Sequence, residues 1–244
     1  MAIFFIILGL IVGSFLNCTA LRLIKNEQFI SGKSKCLSCG HDLGVLDLIP
    51  VFSFILLKGK CRYCKKRISI QYVLVEIFTG ILFLLTYLYL NNIVFWLFII
   101  SIFIIIFIID LKTFIIPDKI LIPAILISLF YVILFQGDVV NRLIGAGIWF
   151  LFFLAINVFS KGKWMGLGDV KLAILLGFLV SWPNILVAMF LSFFLGAIIG
   201  VGLILIKNKE MKTEVPFAPF LITGTIITVF LGDVLINWYL SLIL

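Results

Sequence analysis

Long runs of Phe, Ile and Leu, broken by short polar or glycine-rich stretches, set the organisation of this chain. An α-helix needs roughly 20 apolar residues to cross the hydrocarbon of a bilayer, and the breaks leave eight runs of about that kind. They cover residues 3–23, 71–90, 93–109, 119–135, 139–159, 170–182, 185–206 and 217–244. A membrane β-barrel would show ten-residue segments of alternating polarity instead, so the pattern predicts an all-α, polytopic membrane protein of about eight transmembrane helices. The sixth run is the exception. At a rise of ~1.5 Å per residue it is too short to cross unaided, and it is expected to pack inside the bundle or to dip in at one end. Residues 1–21 have no basic residue ahead of them and no small-x-small cleavage site, so they are expected to be the first span and not a removable signal.

Composition agrees with the pattern, at 64% hydrophobic and only 12% charged residues. Charge adds an orientation. If the segment after the first span is cytoplasmic, alternation of the spans places every one of the 19 lysines and arginines except Arg142 on the cytoplasmic side. That asymmetry is what the positive-inside rule demands of a correct topology. Both termini are then expected outside, with Asp110, Asp118 and Asp169 at the cytoplasmic face. The net charge of +8 is accounted for by loops lying beside anionic lipid, and no nucleic-acid partner is expected.

The only sizeable polar stretch, residues 26–70, carries Cys36 and Cys39, then Cys61 and Cys64: two CxxC pairs separated by 21 residues. Paired knuckles suit tetrahedral zinc, because each turn aims two thiolates at one centre, and a segment this small needs a staple to fold. Disulfides or free thiols are the alternative, and a cytoplasmic setting disfavours the former. His41 can support the ligands from behind, be an alternative ligand, or be a solvent-facing loop residue. In the first span Gly9 and Gly13 stand four apart, as in close helix packing. Glu76, inside the second span, is either neutralised by the basic cluster before it or a site member facing a cationic substrate.

Three further acids sit at helix boundaries. Asp118 follows Pro117 in a first helical turn, where the macrodipole favours an anion. Asp110 closes the third span, where the dipole disfavours it, so its placement asks for another cause. Asp169 ends Gly166-Leu167-Gly168-Asp169 at a helix start, as an N-cap or as a functional carboxylate beside glycines that let a peptide approach. A phosphate loop there lacks the required spacing. Towards the end, Pro216 and Pro219 mark a helix start, or a stretch whose free backbone groups dock an extended substrate.

Taken together, the Gly13-Ser14-Phe15-Leu16-Asn17 opening, the paired CxxC loop, Ile70-Gln71-Tyr72 to Glu76, Ile109-Asp110 through Pro117-Asp118, Gly166 to Asp169 and Pro216 to Phe220 resemble the type IV prepilin peptidases. These are aspartic proteases of the bacterial cytoplasmic membrane. Val73 and Thr19 depart from residues often found in the family. The resemblance implies catalytic aspartates at Asp110 and Asp169, supported by Gly166, Gly168, Asp118, Glu76 and Lys171. It implies an N-terminal region over residues 1–90 with the tetra-cysteine loop, and a six-helix aspartic peptidase membrane domain over 91–244. The substrates implied are prepilins or pseudopilins cut after a glycine, with N-methylation of the new terminus by S-adenosylmethionine in many members. Two other classes remain open on the residues alone: a secondary transporter with an acidic relay, and a non-enzymatic zinc-bearing scaffold of a secretion machine.

Overall fold

A computed structural model describes residues 1–27, 34–36, 38–135, 138–207 and 215–243. Among these there is no β-strand, only two isolated antiparallel bridges, Lys35 with Asp42 and Lys60 with Arg67. The helices are α1 (Ala2–Ile24), α2 (Phe52–Leu56), α3 (Gln71–Tyr89), α4 (Ile93–Thr113), α5 (Asp118–Phe135), α6 (Val139–Phe159), α7 (Leu167–Val180), α8 (Ile185–Lys207) and α9 (Ala218–Ile243). Seven of them are long and apolar enough to cross a membrane, all but α2 and α7. The chain divides into two compact units, Met1–Ile109 and Asp110–Leu244.

In the first unit α1 and α3 pack backbone to backbone. A Cβ on Gly9 would lie 2.7 Å from Gly80 Cα, and one on Gly13 would lie 2.7 Å from Thr79 Oγ1, so both positions exclude a side chain. The small-residue spacing in α1 therefore does the packing job it suggests. At one end Phe5 stacks on Tyr87 with ring centroids 4.6 Å apart. At the other the Gln71 amide donates to Asn17 Oδ1 at 2.9 Å.

The second unit is built around α7. Its sequence is apolar on every side, which suits a helix enclosed by protein, and Leu172, Ala173, Leu175 and Leu176 are buried. Fourteen residues span about 21 Å, short of a ~30 Å hydrocarbon layer. α6 holds this helix closely: Gly145 and Gly177 face each other, and a Cβ on either would sit 2.6 Å from the other's carbonyl oxygen. Arg142 of α6 then donates Nη1 to the carbonyls of Phe178 and Leu179, at 3.2 and 3.0 Å. A cation thus caps the negative end of α7. α8 and α9 meet where Gly224 lies against Ser192 and Ala188, and the Asn184 amide donates to Asp233 Oδ1 at 2.9 Å.

Candidate active site

Asp110 does not end its helix. α4 continues for one more turn to Thr113, and Phe114, at φ 57°, terminates it with its N–H on the Asp110 carbonyl at 2.9 Å. The apolar run breaks at Asp110 because the residue is charged, whereas the backbone stops only where a left-handed residue turns the chain. The Asp110 side chain is 4% exposed in its surroundings. It accepts a hydrogen bond from the backbone N–H of Ala218, the first residue of α9. The positive end of a second helix therefore supplies what the end of α4 withholds. Its Oδ2 is buried and has no hydrogen-bond partner among the described residues.

Asp169 is not an N-cap either. Gly166 caps α7, and Asp169 is its third residue, with its carboxylate near the Gly166 N–H. Gly168 brings α7 against the 115–117 segment, since a Cβ there would lie 3.3 Å from Ile116 Cβ.

Asp110 and Asp169 line one cavity of 190 Å³, and the Asp110 charge acts on Asp169. Phe114, Ile115 and Ile116 form its apolar side, Gly166 and Gly168 its glycine side, and Asp118 and Lys171 complete it. Asp118 lies in the first turn of α5 as expected, although Pro117 precedes that helix and is not part of it. Lys171 Nζ donates to both Asp118 oxygens, at 2.9 and 2.8 Å. Six of the sequence-derived residues therefore share one space: Asp110, Asp118, Gly166, Gly168, Asp169 and Lys171. Glu76 belongs to the first unit, buried, where Oε2 accepts the Val51 N–H at 2.7 Å and the carboxylate also bonds Ser14. The sequence pattern missed Ala218. Its signal was the proline pair around it, which marks a helix start without saying which side chain that start faces.

The cysteines also converge. The Sγ atoms of Cys36, Cys39, Cys61 and Cys64 all lie within 4.8 Å of one another, and Cys36 and Cys64 are 3.9 Å apart. Tetrahedral zinc with Zn–S bonds near 2.3 Å would set that edge at about 3.8 Å, so the cluster fits the ion. The two knuckles are copies. Gly40 N–H bonds the Cys36 carbonyl and Lys65 N–H the Cys61 carbonyl, at 2.9 and 3.0 Å, and both residues are left-handed at φ 70° and 59°. Backbone N–H groups of Ser38 and Cys39 hold the Cys36 thiol down to about 6, well below its ordinary value. His41 is not part of the cluster; its ring lies 3.6 Å from that of Tyr63, one ring from each knuckle.

Comparison with known proteins covers most of the chain. Residues 7–90 match the Bacterial Peptidase A24 N-terminal domain, and residues 96–201 match the Type IV leader peptidase family. The chain is 32% identical over 225 residues to a prepilin leader peptidase/N-methyltransferase of Aeromonas salmonicida, covering 87% of this chain and 76% of the relative. Over 252 residues it is 31% identical to the protein of that name from Bacillus subtilis, with 98% and 97% covered. The counterpart in Pseudomonas putida is 31% identical over 266 residues, with 93% and 89% covered. No solved structure matches the chain.

Proposed function

Since the chain belongs to the type IV leader peptidase family, we propose that it cleaves the leaders of type IV prepilins or pseudopilins and that Asp110 and Asp169 are its catalytic pair. One observation carries the assignment: the two carboxylates open into a single cavity, one of them with a buried oxygen that no group among the described residues satisfies. A buried carboxylate oxygen without a partner costs free energy unless a ligand or water takes it up. Two carboxylates that feel each other's charge share one proton. The ionised one then takes a proton from a water as that water attacks the scissile carbonyl, while its protonated partner donates to the carbonyl oxygen. Collapse of the tetrahedral species returns a proton to the leaving amine and restores the pair. Gly166 and Gly168 leave room for an extended peptide beside Asp169, and the Asp118–Lys171 ion pair supplies fixed charge on the same wall.

Zinc held by Cys36, Cys39, Cys61 and Cys64 is a structural ion in this reading, closing the loop and taking no part in hydrolysis. N-methylation of the trimmed product by S-adenosylmethionine rests on the names of the relatives. The N-terminal region 1–90 is assigned the cysteine loop and the region 91–244 the peptidase domain. The distribution of lysine and arginine supports a bacterial cytoplasmic membrane protein with its active site at the cytoplasmic face and both termini outside. The transporter and scaffold readings find no support among the relatives.

The test is incubation of the purified protein in lipid with a prepilin, with and without S-adenosylmethionine, followed by mass analysis of the product's N-terminus. Asp110→Asn and Asp169→Asn are each expected to lower cleavage by ~10²-fold or more while the protein still inserts. Near-normal cleavage in either variant would overturn the assignment.

A further inference from the structure

Among the described residues of the cysteine loop, 45–57 carry a concentration of exposed apolar side chains. Val45 is 84% exposed, Leu46 65%, Phe52 57%, Ile55 64% and Leu56 65%. Their one acid, Asp47, presents no free charge: its carboxylate takes Arg62 Nε at 2.6 Å, the Gly44 N–H at 3.1 Å and the Tyr63 hydroxyl at 3.4 Å. Exposed side chains of this kind are costly in water unless something apolar covers them.

The position of the segment says what covers it. Val51 donates its N–H to Glu76, and Glu76 is five residues into α3, about 7.5 Å along the axis from the start of that helix. α3 has 19 residues, about 28 Å, which nearly equals the hydrocarbon thickness, so its first turns lie at the membrane boundary. Glu76 also bonds Ser14 of α1, so the tether reaches α1 as well as α3. Val51 sits at φ 61°, a conformation unfavourable to a β-branched residue, as expected where the chain is drawn into a fixed position. Directly after the segment come Lys58, Lys60, Arg62, Lys65, Lys66 and Arg67, with no acid among residues 58–67.

We propose that residues 45–57 insert into the membrane interface beside α1 and α3, with anionic phospholipid as the partner: Val45, Leu46, Phe52, Ile55 and Leu56 meet acyl chains and the basic run that follows meets the head groups. An apolar face with cationic flanks at the level of the head groups is the make-up of an interfacial helix. The loop is then bound to the membrane at its middle as well as at its two ends.

The test places the photo-crosslinking residue p-benzoylphenylalanine at Phe52 or at Ile55 of the full chain, reconstituted in vesicles of phosphatidylethanolamine and phosphatidylglycerol. Tyr63 carries the same residue as the control. After irradiation, peptide mass analysis is expected to find phospholipid adducts at Phe52 and Ile55 at least ~5-fold above Tyr63, falling at least ~3-fold in vesicles of phosphatidylcholine alone. Adduct yields equal to the Tyr63 control, or crosslinks to a second copy of the chain in place of lipid, would overturn the proposal. An undiminished yield in phosphatidylcholine would overturn the anionic partner.

Discussion

Asp110 and Asp169 are each set beside a backbone donor at a helix start, Ala218 N–H for Asp110 and Gly166 N–H for Asp169. Both aim a carboxylate without another side chain in the way, which leaves the faces towards the cavity open for water and substrate. The Asp118–Lys171 pair differs in kind, because its side chains are half-exposed and an exposed ion pair contributes only about 0.5 kcal/mol. Asp118→Asn and Lys171→Met are therefore each expected to lower prepilin cleavage no more than ~5-fold, with the double variant close to the worse single one. A loss in Asp118→Asn as large as that in Asp110→Asn would make Asp118 a member of the catalytic group.

Helix packing here depends on the absence of side chains at a few positions. α7 reaches the cavity with Asp169 at its start only because Gly145 and Gly177 let it lie against α6. A methyl group at Gly177 lands in a carbonyl oxygen, so Gly177→Ala is expected to cost about 1–3 kcal/mol and to lower Tm and cleavage together. Gly147 of α6, two residues from Gly145, offers the control, since nothing lies within 4 Å of a Cβ there. Gly147→Ala is expected to leave cleavage intact and to stabilise by about 0.5–1 kcal/mol, measured by thermal unfolding in the same detergent. A gain in both variants would show that helix propensity, and not the crossing, governs this pair.

For the whole molecule the cysteine loop, read as a zinc site, is the part whose folding would depend on something other than apolar burial. Elemental analysis is expected to find one zinc per chain, lost in Cys61→Ser. Stripping the ion removes the staple, and tryptic cutting at Lys58 to Arg67 is expected to speed up at least ~10-fold while α1 and α3 stay protected. Unchanged cutting after complete metal loss would mean that the Asp47–Arg62 pair and the Val51–Glu76 bond suffice to hold the loop.

Spans, the cysteine staple and the acids at helix boundaries were legible along the chain because they follow from local causes: run length against membrane thickness, thiol spacing, and the cost of charge near hydrocarbon. Helix limits were less so, since Asp110 and Asp169 each break an apolar pattern without breaking a backbone, one lying a turn inside α4 and the other two residues inside α7. The meeting of Asp110 with Asp169, 59 positions later, and with Ala218 was not written in any stretch of sequence. It depends on the crossing of α6 with α7 and on where α9 begins, long-range geometry that no periodicity records. Glu76 shows the same limit from the other side: its burial in a span could be foreseen, but its bond to Val51, and so its role in tethering the loop, exists only once the chain has folded back on α3.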